Sequence, residues 1–412
     1  MKHVTSMDVQ IFIILFIISA TVKILFLEFY WSDISIPKDD EHDYIATAMY
    51  INSGNSWISE DAPNSRPLLL SLIISPFLDL GIYPIRILLI LISSITPFLM
   101  YSLSKKAFNL TSIQSVIPAL IWIFYPPEIW YSGLILTESL TGLLALGSTL
   151  CFIMAKDSNK ITTSMCLGVL LGCLILTKSS YVYLPVLLVG LNVFIKFRCG
   201  YTMLNITQTV LVIGIIGIVT SPVIIRNYNT IESILPIESR MPYGMVVSNG
   251  DFTSPLIQNG AYDKNIASAQ KIVQMKQQGD SYNVLKSYAL SVVLTQIQTN
   301  PGQIHKILIS RTYNFWGSRP DPFNPSITMN DIIMSIIWIP ILLLFISSFR
   351  FYKSLNFWIF VLIVIYAFLT TILFWSSPRF RFPVDGLIIL ISTASGLKWG
   401  EGIFTYWKQQ YD

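Results

Sequence analysis

Two neighbouring stretches near the N-terminus decide the fold, Pro37-Lys-Asp-Asp-Glu-His-Asp-Tyr44 and Ser65-Arg-Pro-Leu-Leu-Leu70. They belong to a polar loop, residues 28–65, which holds eight of the 23 acidic residues of the chain and a single basic residue, Lys38. Long apolar segments flank this loop. Crowded carboxylates between membrane segments are costly, and such clusters concentrate at functional sites. The pattern therefore indicates a site in this loop, with a solvated connecting loop as the alternative interpretation.

The composition is that of a multi-pass membrane protein. Of 412 residues, 53% are hydrophobic and only 12% are charged, and the mean hydropathy is +0.60. Soluble domains carry about 25% charged residues. The net charge of +4 belongs to loop ends, so nucleic acid is not an expected partner. The four cysteines have neither disulfide-framework nor metal-site spacing.

Apolar runs of about twenty residues predict about ten transmembrane helices. They lie near residues 8–27, 84–103, 112–131, 137–155, 161–177, 180–196, 203–225, 331–349, 354–375 and 383–399. The first run is too long for a secretory signal and lacks its cleavage site, so we expect it to be a retained span. Residues 66–80 are too short to cross about 30 Å of hydrocarbon, and Pro76 interrupts them. They predict an interfacial or re-entrant helix.

The distribution of basic residues predicts the orientation of these helices. With ten spans, one side of the membrane receives Lys105, Lys106, Lys156, Lys160, Lys196, Arg198, Arg350, Lys353 and Lys398. This positive-inside bias places both termini in the cytoplasm and the first loop, residues 28–83, on the outer face. Residues 227–330 have mainly helical patterns and predict a small extracytoplasmic lobe. The predicted division is therefore 1–226, 227–330 and 331–412.

Polar motifs on the predicted outer side follow one another in the order of a known family. They are Asp40-Glu41 ahead of Tyr44, Arg66-Pro67-Leu68, Thr137-Glu138-Ser139, Gly168 through Lys178, Ser221-Pro222 with Arg226-Asn-Tyr228, and Arg379-Phe-Arg-Phe-Pro383. The ordered set resembles the GT-C superfamily of membrane glycosyltransferases, closest to the branch of aminoarabinose transferases and protein mannosyltransferases. Leu68 stands where that family usually has a second proline.

This resemblance implies an all-α enzyme of the plasma (inner) membrane with an extracytoplasmic active site. Such enzymes pass a sugar from a polyprenyl phosphate, with inversion, to a hydroxyl of a lipid, polysaccharide or protein acceptor. The resemblance implies that Asp40 is the base, with Glu41 and then Asp43 as alternatives, and that Glu138 is a second-loop acid. Crowding should raise the pKa of one first-loop carboxyl, which would suit a base near neutral pH.

A lipid-phosphate leaving group requires fixed cations. The candidates for holding it, together with the aromatic Tyr44, are Arg66, Lys178, Arg226, Arg379 and Arg381. Lys178 and Arg226 could instead reach the membrane interface, the two last arginines could be topological anchors, and Glu138 could stabilise a helix N-terminus.

Two further features have a chemical and a structural interpretation. The resemblance predicts no metal or other cofactor, although the first-loop acids Asp40, Glu41 and Asp43 could bind a divalent cation through oxygen ligands. Gly168 and Gly172 predict close helix packing rather than chemistry.

Two other classes of protein remain open at this stage. A flippase or transporter of lipid-linked glycans would normally carry ionisable groups at mid-bilayer, whereas Lys23, Asp331 and Asp385 lie near the ends of predicted spans. A membrane anchor whose 227–330 lobe binds a partner would leave the acidic loop and the outer arginines without a common purpose.

Overall fold

The computed structural model describes residues 6–30, 36–56, 66–158, 160–200, 203–234, 238–324, 326–351 and 354–411, without the side chains of residues 199, 351 and 401–411. Two parts of the acidic loop, residues 31–35 and 57–65, therefore lie outside the described residues. Within the described ranges every regular element is a helix, which confirms the predicted all-α class.

The first half of the chain forms eleven α-helices. They are α1 (Ser6–Tyr30), α2 (Glu41–Asn52), α3 (Leu68–Ile74), α4 (Ile82–Ser93), α5 (Thr96–Phe108), α6 (Ser112–Ile123), α7 (Pro126–Ser132), α8 (Glu138–Ser158), α9 (Ile161–Thr177), α10 (Leu184–Cys199) and α11 (Ile206–Ile231). Short 3₁₀ turns follow α3 and α9, at Ser75–Leu80 and Ser179–Tyr181.

The second half forms a lobe and three long helices. The lobe contains α12 (Met241–Asn249), α13 (Pro255–Gln258), α14 (Ala267–Gln277), α15 (Tyr282–Thr299) and α16 (Pro301–Trp316), and the long helices are α17 (Met329–Phe351), α18 (Leu355–Ile372) and α19 (Pro378–Tyr411). Because α11 continues to Ile231, it passes the predicted boundary at residue 226. The three-part division of the chain stays a prediction.

Eight helical stretches of the described residues are long and apolar enough to cross a membrane. They are Ser6–Tyr30, Ile82–Phe108, Glu138–Ser158, Ser179–Arg198, Ile206–Ile231, Met329–Arg350, Leu355–Ile372 and Pro378–Gly400. At two other predicted spans the apolar helices are shorter, with 12 residues in α6 and 17 in α9. The multi-pass membrane architecture is confirmed, and the number ten stays a prediction.

Helix α19 forms the centre of the bundle, where it packs against α5, α6, α8, α17 and α18. Its residues Leu387–Ile391 are fully buried. A helix that is apolar on all sides is typical of such a central position. Its first turn carries two charged side chains, Arg379 and Arg381, at one end of the bundle.

The first loop folds onto that same end. Helix α2 packs against both α3 and the 3₁₀ turn after it, and Asn52 Nδ2 donates to Asp79 Oδ1 at 3.2 Å. Leu68, at the start of α3, packs with Leu176 and Val223 near the ends of α9 and α11. Both helical parts of the segment 66–80 therefore pack against α2. That this segment does not cross the membrane stays a prediction.

The predicted close packing at Gly168 and Gly172 is confirmed. A Cβ atom at Gly168 would lie 2.8 Å from Ile215 Cβ, and one at Gly172 would lie 2.7 Å from Val219 Cγ1. Since Lys178 directly follows α9 and α11 carries Arg226, these glycines set how closely the two helices bring their cations together.

We expect Gly172→Ala to lower stability by about 1–3 kcal/mol, because its methyl group overlaps α11. Gly217→Ala is the matched control, since a Cβ at Gly217 of α11 meets nothing within 4 Å. It should be neutral or gain about 0.5–1 kcal/mol from reduced chain entropy. The thermal unfolding midpoint of detergent-solubilised protein measures both, and equal midpoints would contradict the role of Gly172.

Candidate active site

Asp40 lies between two arginines that come from distant parts of the chain. It is the residue before α2, and it accepts hydrogen bonds from Arg66 and from Arg379 Nη2 at 3.1 Å. One turn further, Asp43 accepts from Arg66 Nε at 2.9 Å and from Arg240 Nη1 at 3.0 Å. The guanidinium of Arg66 thus spans two carboxylates on one face of the helix start.

The surroundings of Asp40 set the direction of its pKa. Burial raises this pKa, but Arg66 and then Arg379 outweigh the burial, so that the pKa lies below its ordinary value. Asp40 is therefore not a first-loop carboxyl whose pKa is raised by crowding. The reason is that each acid pairs with a cation, since Asp40 and Asp43 share Arg66 and Glu41 pairs with Arg86.

Glu41 is a buried anchor. Its side chain is 1% exposed and pairs with the fully buried Arg86 at 2.8 and 3.0 Å. The backbone N–H groups of Ile135 and Lys38 also donate to it, each at 2.7 Å. A carboxylate has about four lone-pair positions, and four donors fill them here. These contacts favour a positioning role for Glu41 over the predicted role as alternative base.

The three first-loop carboxylates do not converge on one point. Glu41 is directed to Arg86, whereas Asp40 and Asp43 share Arg66. Over the ranges that the structure describes, no three His, Cys, Asp or Glu side chains form a group that could hold a metal ion.

Arg379 joins the first-loop acid to Glu138. The Nε atom of Arg379 donates to Glu138 Oε1 at 2.5 Å while its Nη2 binds Asp40. Glu138 opens α8 and is 3% exposed. Its second oxygen is buried and accepts no hydrogen bond from the described residues. The structure thus brings together three predicted site residues that lie as much as 339 positions apart.

Lys178 lies next to this cluster, just after the end of α9. Its Nζ lies 5.1 Å from the centre of the Phe380 ring, and no ion pair to it is found within the described part of the chain. Burial lowers the pKa of Lys178, against the opposing effect of Glu138.

Arg226 and Arg66 line one cleft together with Glu238. Apolar side chains from α3, α9 and α11 complete its lining, among them Leu68 and Leu176. Arg226 is 2% exposed, and its Nε and Nη2 bond to Asn227 Oδ1 at 3.3 and 3.1 Å. Its Nη1 is buried without a hydrogen-bond partner among the described residues. A buried guanidinium with an unused donor is costly, which suggests an anionic ligand.

Tyr44 forms a buried wall behind Arg66. Its ring lies 5.9 Å from the guanidinium carbon of Arg66, and 4% of the residue is exposed. Burial, followed by the nearby Glu138 carboxylate, raises the pKa of Tyr44 above its ordinary value. Its hydroxyl therefore stays protonated and can act as a neutral hydrogen-bond donor.

The structure does not bring Arg381 to this cluster. It donates to Asp385 at 2.7 Å and to the carbonyl oxygens of Phe315 and Gly317, and it stacks 3.5 Å from the ring centre of Trp338. Two residues correspond to about 200° around a helix, so Arg381 faces away from the side that Arg379 occupies. It fastens α19 to α16 and α17.

Three charged residues of the site region were missed by sequence reasoning, namely Arg86, Arg240 and Glu238. Glu238 accepts a hydrogen bond from Ser179, and Arg240 binds Asp43 from 197 positions away. Both belong to the short polar run Glu238-Ser-Arg240 after α11. That run was the available signal, but nothing in its spacing indicates which distant residues it contacts.

The arrangement of the helices is similar to that of known membrane glycosyltransferases. The archaeal oligosaccharyltransferase AglB from Archaeoglobus fulgidus, in complex with an inhibitory peptide and a dolichol-phosphate, matches with a TM-score of 0.54 at 12% identity over 98% of this chain and 52% of its own. An A. fulgidus oligosaccharyltransferase tethered to an acceptor peptide matches with a TM-score of 0.54 at 13% identity, over 98% of this chain and 51% of its own. ArnT from Cupriavidus metallidurans in the apo state has a TM-score of 0.42 at 12% identity, over 93% of this chain and 76% of its own.

At these identities the likeness is one of fold. It is the GT-C fold that the ordered motifs predicted, and this prediction is confirmed. The chain spans about half the length of the oligosaccharyltransferases that it matches. No known protein-family profile matches the sequence. No curated protein matches it in sequence either.

Proposed function

We propose that this protein is a glycosyltransferase that moves a sugar from a polyprenyl-phosphate carrier to an acceptor hydroxyl. The observation that carries the proposal is the cleft that Arg66 and Arg226 line, because Arg226 has a buried Nη1 without a partner among the described residues and Arg66 binds the Asp40 carboxylate. Apolar lining and buried cations together suit a lipid chain that ends in a phosphate. The dolichol-phosphate bound to AglB is a molecule of this kind.

In the proposed reaction, the acceptor oxygen attacks the anomeric carbon as the bond from that carbon to the phosphate oxygen breaks. Asp40 takes the hydroxyl proton, and the phosphate leaves with the bonding electron pair. Arg226, Arg66 and Lys178 stabilise the charge that develops on the phosphate. Arg66 contacts Asp40 and also lines the cleft, so the base and the phosphate site adjoin without coinciding. Attack opposite the leaving group inverts the anomeric centre.

The orientation follows from the charge bias of the loops. We place both termini in the cytoplasm and the Asp40 cluster on the outer face of the plasma membrane. The acceptor would then be a lipid, a surface polysaccharide or a protein that presents a hydroxyl outside the cell. The donor sugar is transferred without a cofactor.

The direct test uses purified protein in liposomes with a radiolabelled polyprenyl-phosphate sugar and a panel of lipid, polysaccharide and peptide acceptors. We expect label to appear on one acceptor class, and not on any in liposomes without protein. Movement of the labelled lipid across the bilayer without transfer would instead support a flippase and contradict the enzyme.

Replacing Arg226 should weaken phosphate binding without lowering stability. Arg226→Met loses charged hydrogen bonds worth about 1.5–3 kcal/mol, so we expect the Kd of a polyprenyl phosphate to rise about 10- to 100-fold. The thermal midpoint should stay unchanged or rise, because a buried cation with an unused donor is removed.

Arg311→Met provides the matched control. Arg311 is also 2% exposed and its Nε likewise has no partner among the described residues, but its two other nitrogens donate to Ser248 O at 2.6 Å, Asn249 Oδ1 at 3.1 Å and Ile372 O at 3.0 Å. The Arg311→Met variant should have a lower thermal midpoint, and the Kd of the protein that remains folded should stay within about threefold of the wild-type Kd. Unchanged binding by Arg226→Met would contradict the phosphate site.

A further inference from the structure

Glu238 is a carboxylate that lines the same cleft as two arginines, yet the side chain that donates to it is a hydroxyl. Ser179 donates to Glu238, and Glu238 lines the cleft with Arg66 and Arg226. Within the described ranges, no cation comes within 4 Å of its oxygens. Burial raises the pKa of Glu238 above its ordinary value, against the hydrogen bond from Ser179.

Charged and titratable groups face Glu238 from each neighbouring element. They are Arg66 before α3, Arg226 of α11, Lys178 after α9, Tyr44 of α2 and Tyr282 of α15. The arginines stay charged at all accessible pH values. The pKa of Tyr44 is raised, and burial raises that of Tyr282 to about 12, so both tyrosines stay neutral near pH 7. Glu238 and Lys178 are therefore the two groups that can change charge.

We propose that Glu238 takes up a proton when the phosphate of the lipid-linked donor enters the cleft. This rests on the proposed function, because it assigns a proton-coupled step to that same phosphate site. An ionised carboxylate and a phosphodiester in one cleft repel each other. A protonated carboxyl group removes the repulsion and can donate its hydrogen to a phosphate oxygen.

The direction of the pH dependence follows from proton counting. At any pH at which Glu238 is ionised in the empty site, the complex holds one more proton than the empty site and the free ligand together. Affinity therefore falls as the pH rises, by at most about tenfold per pH unit, between the pKa of Glu238 in the free site and its higher pKa in the complex. Below this interval Glu238 is already protonated, and affinity is constant.

The test measures binding of a short-chain polyprenyl phosphate methyl ester to the full-length protein in detergent from pH 5 to 9. This phosphodiester keeps a single negative charge throughout, so the ligand contributes no titration. For wild type we expect the Kd to rise by about tenfold per pH unit over part of the range. Calorimetry in two buffers of different ionisation enthalpy should show uptake of up to one proton on binding.

The variants Glu238→Gln and Ser179→Ala identify the group. Glu238→Gln is neutral and retains an acceptor for Ser179, so its Kd should be flat with pH and equal to the wild-type value at low pH. Ser179→Ala loses a bond that favours the ionised form, so its pH interval should shift upward. A pH dependence that persists in Glu238→Gln would assign the proton to Lys178 and overturn the proposal. Failure of wild type to bind at any pH would instead overturn the proposed function.

Discussion

Asp40→Asn is expected to reduce the rate of sugar transfer by about 10²- to 10⁴-fold, which is the usual contribution of a positioned general base. The substitution preserves the size of the side chain and removes its ability to take a proton. Arg66 and Arg379 each retain a second carboxylate, Asp43 and Glu138 respectively. The site should therefore keep its shape, and donor binding should change by only a few fold. Turnover with saturating lipid-linked donor and the Kd of the donor measure the two effects.

Asp43→Asn is the control for this experiment. Asp43 also pairs with Arg66, but its side chain is 40% exposed and its other partner is the exposed Arg240. We expect its turnover to fall by less than about tenfold, since Arg66 remains held by Asp40. If the Asp43 variant loses as much turnover as the Asp40 variant, or if Asp40→Asn transfers sugar at the wild-type rate, Asp40 is not the base.

Arg86→Met should destabilise the protein by about 3–5 kcal/mol, because it leaves the Glu41 carboxylate buried without its cation. Both side chains are at most 1% exposed. Arg86 also donates to Gly133 O at 2.7 Å and Ile36 O at 3.3 Å, so its loss releases the connection before α8 and the chain before α2. We expect a large drop in the thermal midpoint and in the yield of folded protein.

The double variant Arg86→Met/Glu41→Gln separates the buried charge from the lost contacts. Removing both charges of a buried pair is usually far less harmful than removing one. We therefore expect the thermal midpoint of the double variant to lie well above that of Arg86→Met. In the double-mutant cycle this difference corresponds to a coupling energy between Arg86 and Glu41. A double variant that is less stable than Arg86→Met alone would contradict the role of Glu41 as the partner of a buried cation.

The class of fold was predictable because it follows from local sequence. Long apolar runs predict the helices, and the basic loops predict their orientation. The prediction that the segment 66–80 does not cross, which stays a prediction, likewise rests on properties of the segment itself, its length and Pro76. The same holds for Gly168 and Gly172, where the spacing of small residues on one helix face already predicts a close neighbour.

The roles of adjacent charged residues were not predictable in the same way. Asp40 and Glu41 are neighbours in sequence, but Asp40 faces Arg379 and Glu41 faces the buried Arg86. Arg379 and Arg381 likewise separate onto different sides of α19. The role of such a residue depends on which distant segment packs against its side of the helix, and a single sequence does not specify that packing.

The hydrogen bonds between the lobe and the α18–α19 connection have a practical consequence. Arg311 and Asn249 bind the carbonyl oxygens of Ile372 and Leu373, and the Ser376 N–H donates to Gly260 O at 3.1 Å. Arg379 follows shortly after this hydrogen-bonded connection. A shortened protein that lacks α12–α16 would lose the bonds that fix the start of α19, although Glu138 and Asp40 would still pair with Arg379. Fragment engineering of this protein should therefore treat the lobe and the membrane helices as one inseparable scaffold.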